Sequence, residues 1–216
     1  MVDFTRSEVL AGLVGAGVGG LTAIGIQAFR GGQTDRPDAA PPARAWSRED
    51  RARLVGYFPD VTLTTHDNRR VRLYEGLIRD KFVVFSLMYT ACTDLCPLTT
   101  ANLIAAKAAL GERVGRDVFF YGLTLDPILD TADQLNDYAQ LVGAGDGYVF
   151  LTGTPEDIYR TRRKLGLFDP DPLIDSDRSS HGALAVYGND SSGLWGGVPA
   201  LIRPDRIVHR LRRALA

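Results

Sequence analysis

Cysteine is nearly missing from this chain: 216 residues contain two, Cys92 and Cys96. Two cannot build the disulfide framework of a small secreted scaffold, which takes four or more. They stand four positions apart, so a bridge between them would close a very small loop and remove little chain entropy. A structural role accounts for them poorly; redox or metal chemistry accounts for them better. Histidine is scarce too, at His66, His181 and His209 only, which leaves few donors for a closed four-ligand zinc site. Lysine occurs just at Lys81, Lys107 and Lys164, with arginine supplying the rest of the basic residues. The net charge of −1 gives no general attraction to nucleic acid or to an anionic membrane surface. No nucleic-acid partner is expected. Hydrophobic content of 45% with 24% charged residues is that of an ordinary globular protein.

Charge is also absent from Val9 to Phe29, and about twenty apolar residues suffice to cross a bilayer as a helix. Gly15 and Gly19 stand there in a small-xxx-small spacing suited to helix packing. No small-x-small cleavage site follows Phe29, so residues 1–30 are expected to be a membrane anchor or uncleaved signal. The run Thr5-Arg6-Ser7-Glu8-Val9-Leu10 is similar to a twin-arginine export signal, with Ser7 in place of one arginine. The flanking charges argue the other way on orientation. Arg6 lies before the apolar run and Arg30, Arg36 and Arg44 lie after it, and on charge alone the following domain would face the cytoplasm. Residues 31–53 are rich in Gly, Pro, Ala and charge without apolar periodicity, and read as a flexible linker. A folded domain is expected over 54–216.

Within that domain, strand and helix signals alternate. Val61–Thr65 and Val71–Tyr74 flank the turn-like His66-Asp67-Asn68 and predict a hairpin. Phe82–Met88 (FVVFSLM) is the continuous apolar run of a strand buried on both faces. Pro97 fits the first position of a helix that Gly111 ends. Val118–Leu123 predicts a second buried strand, and Thr131 opens a capping box for a helix to about Val142. Tyr148–Leu151 predicts a third strand. Thr154-Pro155-Glu156-Asp157 caps the next helix, with Arg162, Arg163 and Lys164 in its last turn as the helix dipole prefers. Ala183–Tyr187 and Pro199–Ile202 are expected to close the sheet, and Asp205–Leu215 to form a basic terminal helix. The expectation is an α/β layered fold, with a central sheet flanked by helices.

The two cysteines fall between a buried strand and the following helix, where open α/β sheets place their sites. The helix N-terminus favours thiolate, so both thiols are expected to have lowered pKa values. Dithiol oxidoreductases of the thioredoxin type use C-x-x-C, whereas three residues intervene here. That longer loop still permits a disulfide, and it also lets both sulfurs converge on one ion. Soft thiolates favour Cu(I), which accepts two or three ligands. His181, directly before a predicted strand, is placed to be a third ligand. His66 in a turn and His209 on the terminal helix have ordinary surface or packing positions. A metal site and a redox-active dithiol, with Cys92 as nucleophile and Cys96 as resolving thiol, both remain open on these residues alone.

Three segments in order carry a family resemblance. Phe85-x3-Tyr89-Thr90-x-Cys92-x3-Cys96-Pro97 resembles the F-x-Y-T-x-C-x3-C-P motif of the Sco/SenC proteins, thioredoxin-fold copper chaperones. Leu125-Asp126-Pro127-x2-Asp130-Thr131 resembles their D-P-x-x-D-T segment, and His181 stands where they carry a distal histidine. The resemblance runs from about Val61 to His181. It implies a thioredoxin-like fold with a mixed sheet, and Cys92, Cys96 and His181 as ligands for Cu(I) that are also able to hold Cu(II). It also places Asp126 near the site, where it would orient ligands or simply form the turn before Pro127. It further implies delivery of copper to the dinuclear centre of cytochrome c oxidase, an anchored domain facing the periplasm or cell exterior, and a partner that supplies reductant or copper. Some members act instead as thiol-disulfide reductants. The chain departs from the pattern at Ser180, where the family commonly has Asp, and over residues 188–197.

Overall fold

Thr62–Thr65 (β1) and Arg70–Arg72 (β2) form the predicted hairpin, joined through Asn68 at φ 60°. The computed structural model describes residues 56–178 and 181–215, all within a unit spanning Pro41–Ala216. The expected anchor over 1–30 and the linker over 31–53 lie outside the described residues, as do Ser179 and Ser180. No helix among the described residues is long and apolar enough to cross a membrane.

After β2 the expectation of a longer strand fails, because Leu73–Ile78 winds into a π-helical segment. Leu73, Tyr74, Leu77 and Ile78 are all buried there. Their spacing of three and four residues suits one helical face, which a strand would split between both sides. Phe82–Met88 forms β3 with the predicted limits. It is followed by Leu95–Leu110 (α1), Val118–Thr124 (β4), Ala132–Leu141 (α2), Tyr148–Thr152 (β5), Pro155–Leu165 (α3), the short Pro172–Ser176 (α4), Leu184–Asn189 (β6), Leu194–Pro199 (β7) and Pro204–Leu215 (α5). Thr131 and Thr154 cap α2 and α3 as expected, their hydroxyls accepting from Gln134 N at 3.3 Å and Asp157 N at 3.1 Å.

The strands make one seven-stranded mixed sheet in the order β2-β1-β5-β4-β3-β6-β7. β3, β4 and β5 run parallel at its centre and the remaining pairs are antiparallel. β3 sends Phe82, Val84 and Met88 to one face and Val83 and Phe85 to the other. α1, α2 and α5 cover the first face through Leu103, Leu135 and Ile207; the π-helical segment and α3 cover the second through Leu77 and Ile158. A strand buried on both sides needs this double cover, which is why its sequence does not alternate.

The predicted strand Pro199–Ile202 is corrected: the final strand is β7, Leu194–Pro199, paired with β6 across a tight turn. Its Gly196, Gly197 and Pro199 hid it, since glycine and proline argue against strand. The glycines have a packing reason. A Cβ on Gly188 would lie 2.4 Å from the Trp195 ring opposite, and one on Gly196 would lie 2.6 Å from the Tyr187 hydroxyl. Each aromatic ring on one strand lies over a glycine on its partner.

Candidate metal and thiol site

β3 ends at Met88, whose carbonyl accepts from Leu125 N at 2.8 Å, so the ends of β3 and β4 stay together. The chain then leaves the sheet as the Tyr89–Asp94 loop, tightened by a Cys92 N to Tyr89 O hydrogen bond of 3.1 Å. Asp130 clamps this loop. Its buried carboxylate accepts from the Thr90 backbone N–H at 3.2 Å and from the Thr90 and Thr124 hydroxyls. One carboxylate thus ties the start of the cysteine loop to the end of β4. α1 begins at Leu95, two residues earlier than Pro97 suggested. Cys92 therefore sits in the loop and Cys96 in the first helical turn.

Both thiols are free and half-buried, and they are hydrogen-bonded to each other. The expectation that both are acidified is corrected. Cys92 loses solvation on burial, but hydrogen bonds from the Cys96 thiol, the Asp94 and Cys96 backbone N–H groups and the Tyr89 hydroxyl outweigh this and lower its pKa. Cys96 moves oppositely, to about 12, through burial and the unfavourable proximity of the Cys92 thiolate. The amides that open the helix converge on the loop sulfur, so the helix N-terminus acidifies one thiol of the pair.

Cys92, Cys96 and His181 line one small pocket, together with Tyr89, Leu125 and Arg178. Sharing a pocket is less than sharing an ion. Among the described residues no three His, Cys, Asp or Glu side chains stand close enough to hold a metal. His181 is engaged elsewhere: its Nε2 lies 2.6 Å from the Arg162 guanidinium and 3.6 Å from Asp175 Oδ1, while its buried Nδ1 has no partner. Arg162, read from the sequence as a last-turn base favoured by the α3 dipole, is buried; it also donates to Asp175 Oδ1 at 2.6 Å and to Leu167 O at 3.1 Å.

Asp126 stays out of the cysteine pocket. It is buried and paired with Arg178, which does line that pocket, and its carbonyl accepts from Leu129 N and Asp130 N in the turn. His66 Nδ1 accepts from Phe150 N at 3.2 Å and secures the β1 hairpin to β5. His209 is exposed on α5. Sequence reasoning thus missed four side chains: Asp130, Arg162, Asp175 and Arg178. Only Asp130 left a signal, as the second acid of the D-P-x-x-D-T segment.

Residues 50–216 match the model of the SCO1/SenC family. A Stutzerimonas stutzeri protein named "Putative copper-binding protein" is 31% identical over 141 residues, covering 64% of this chain and 68% of that one. Protein SCO1 homolog 1, mitochondrial, of Arabidopsis thaliana is 29% identical over 126 residues, which is 53% of this chain and only about a third, 35%, of the relative. The crystal structure of Arabidopsis thaliana ScoI with copper bound superposes with a TM-score of 0.59 at 21% identity, over 74% of this chain and 98% of the other. At that identity the likeness establishes the fold, a mixed sheet flanked by helices in the thioredoxin-like manner of Sco structures.

Proposed function

The chain belongs to the SCO1/SenC family, and we propose that it is a copper chaperone. In this reading Cys92 and Cys96 bind Cu(I), His181 completes the ligand set, and the ion passes by ligand exchange to the copper-accepting subunit of cytochrome c oxidase. The observation that carries the reading is the pocket that brings together two mutually hydrogen-bonded thiols and His181, the chain's sparse soft and borderline donors. Two thiolates and an imidazole match the coordination preference of Cu(I). Relatives support the metal: one is named as copper-binding, and a related fold was solved with copper. A neighbour is described as belonging to the Sco family of cytochrome c oxidase assembly proteins, which supports the client. The apolar segment Val9–Phe29 would anchor the domain outside the cytoplasm.

Cu K-edge absorption on the reduced full-length chain tests the ligand set. The reading expects one Cu(I) per chain with two sulfurs and one nitrogen, and loss of the nitrogen in His181→Ala. An unchanged nitrogen shell in that variant removes His181 from the site.

A second reading rests on the opposed thiol shifts. A half-buried, acidified Cys92 beside a protonated Cys96 is the arrangement of an attacking and a resolving thiol in a thiol-disulfide oxidoreductase or peroxidase. It predicts turnover of a disulfide or peroxide without copper and with His181 dispensable. Failure of metal-free protein to turn over either substrate removes it.

A further inference from the structure

Arg162, Asp175 and His181 form a buried cluster beside the cysteine pocket, with side-chain exposures of 9%, 12% and 9%. The hydrogen bond from Arg162 to His181 fixes the ring's proton. A guanidinium carries donors only and does not deprotonate in proteins, so at 2.6 Å the imidazole Nε2 is the acceptor. In the neutral ring the hydrogen then sits on Nδ1, the atom that is buried without a partner.

This arrangement excludes metal ligation by either nitrogen. Nε2 is occupied by Arg162. Nδ1 offers a lone pair only if its proton moves to Nε2, and two N–H donors would then face each other at 2.6 Å. Whichever nitrogen serves, the Arg162–His181 bond must break when His181 ligates. Asp175 supplies the alternative acceptor. Its Oδ1 is 3.6 Å from Nε2 and already accepts from Arg162 and, at 2.9 Å, from the Asp169 backbone N–H, so the ring would share this carboxylate with them. A ligand histidine commonly donates its second ring N–H to a carboxylate, which fixes its orientation.

We propose that Arg162 and Asp175 are positioning residues that exchange His181 between two states: held in reserve by the Arg162 hydrogen bond, and turned to a metal with Nε2–H donating to Asp175. The proton only changes nitrogens, so the ring's charge is the same in both. The cysteines would then capture the ion first and His181 would follow. This rests on the proposed copper-binding function, and the experiment separates the two.

The probe is Cu(I) added to reduced, full-length protein with 15N-labelled histidine. Without metal, His181 is expected to show a pyrrole-type shift at Nδ1 and a pyridine-type shift at Nε2. With one equivalent of Cu(I) the pyrrole-type shift should move to Nε2. Asp175→Asn should lower Cu(I) affinity by about tenfold, in the usual range for a residue supporting a ligand, and Arg162→Met should raise it. A metal-free ring protonated on Nε2 overturns the proposal, and needs no variant to fold. Cu(I) binding with an unchanged tautomer overturns it while the copper function stands. No Cu(I) binding by the wild-type chain overturns both.

Discussion

At the residue scale the cysteine pair is asymmetric, and this has a direct chemical readout. The thiolate is the nucleophile. Cys92, with its pKa lowered by converging hydrogen bonds, should alkylate first as pH rises, at a midpoint below that of an ordinary cysteine. Cys96 should lag behind it, because burial and the neighbouring Cys92 thiolate push its pKa up. Mass spectrometry of iodoacetamide-treated, reduced, metal-free protein across pH would show this order; equal rates at the two sites would contradict it. Asp130 is the other residue-scale lever. Asp130→Ala leaves the Thr90 N–H and two hydroxyls without their acceptor. Each abandoned buried polar group costs about 1–3 kcal/mol, though the hydroxyls can turn elsewhere. A total loss of about 2–4 kcal/mol in urea unfolding is expected, with the Tyr89–Asp94 loop released. Loss under 0.5 kcal/mol would show that the clamp carries no strain-bearing load. Cys92, Cys96 and His181 could be singled out because they are rare residue types in a motif, and the structure lines one pocket with all three. Arg162 and Asp175 were not, because the fold alone brings two abundant charged residues to the histidine.

At the element scale, legibility followed the strength of local physics. β3, α2 and α3 were readable because an unbroken apolar run or a threonine cap operates within a few residues. Thr154→Ala should therefore cost about 1 kcal/mol, the usual worth of such a cap, in the same unfolding assay; no change would mean that the Asp157 N–H finds another acceptor. The π-helical segment and β7 were not readable: the first depends on partners distant in the chain, and the second is masked by the glycines and proline that its pairing with β6 accommodates. Gly196 on β7 lies under the Tyr187 ring of β6, and Gly188 on β6 lies under Trp195 of β7, a relation visible only once the strands are paired. Gly188→Ala must displace the Trp195 ring, and a loss of about 1–3 kcal/mol is expected for such overpacking. Faster hydrogen exchange confined to β6 and β7 would accompany it. Exchange unchanged there would show that Trp195 moves aside freely.

For the whole molecule, the resemblance carried by three short motifs foretold the α/β sheet and its family, while the apolar Val9–Phe29 segment bears on location alone. Cells expressing the full chain should hold it in the membrane fraction, and protease added to spheroplasts should digest the folded domain. Complete protection would place that domain in the cytoplasm, the side that the flanking arginines favour. The central claim concerns copper and is independent of that outcome. Its most direct measurement is a Cu(I) competition titration of the reduced full-length chain against a chromophoric chelator, with Cys92→Ser/Cys96→Ser beside it. The account predicts one tightly held Cu(I) per chain, lost in the double variant; no chelator-competitive binding by the wild type, or binding that survives loss of both thiols, would contradict it.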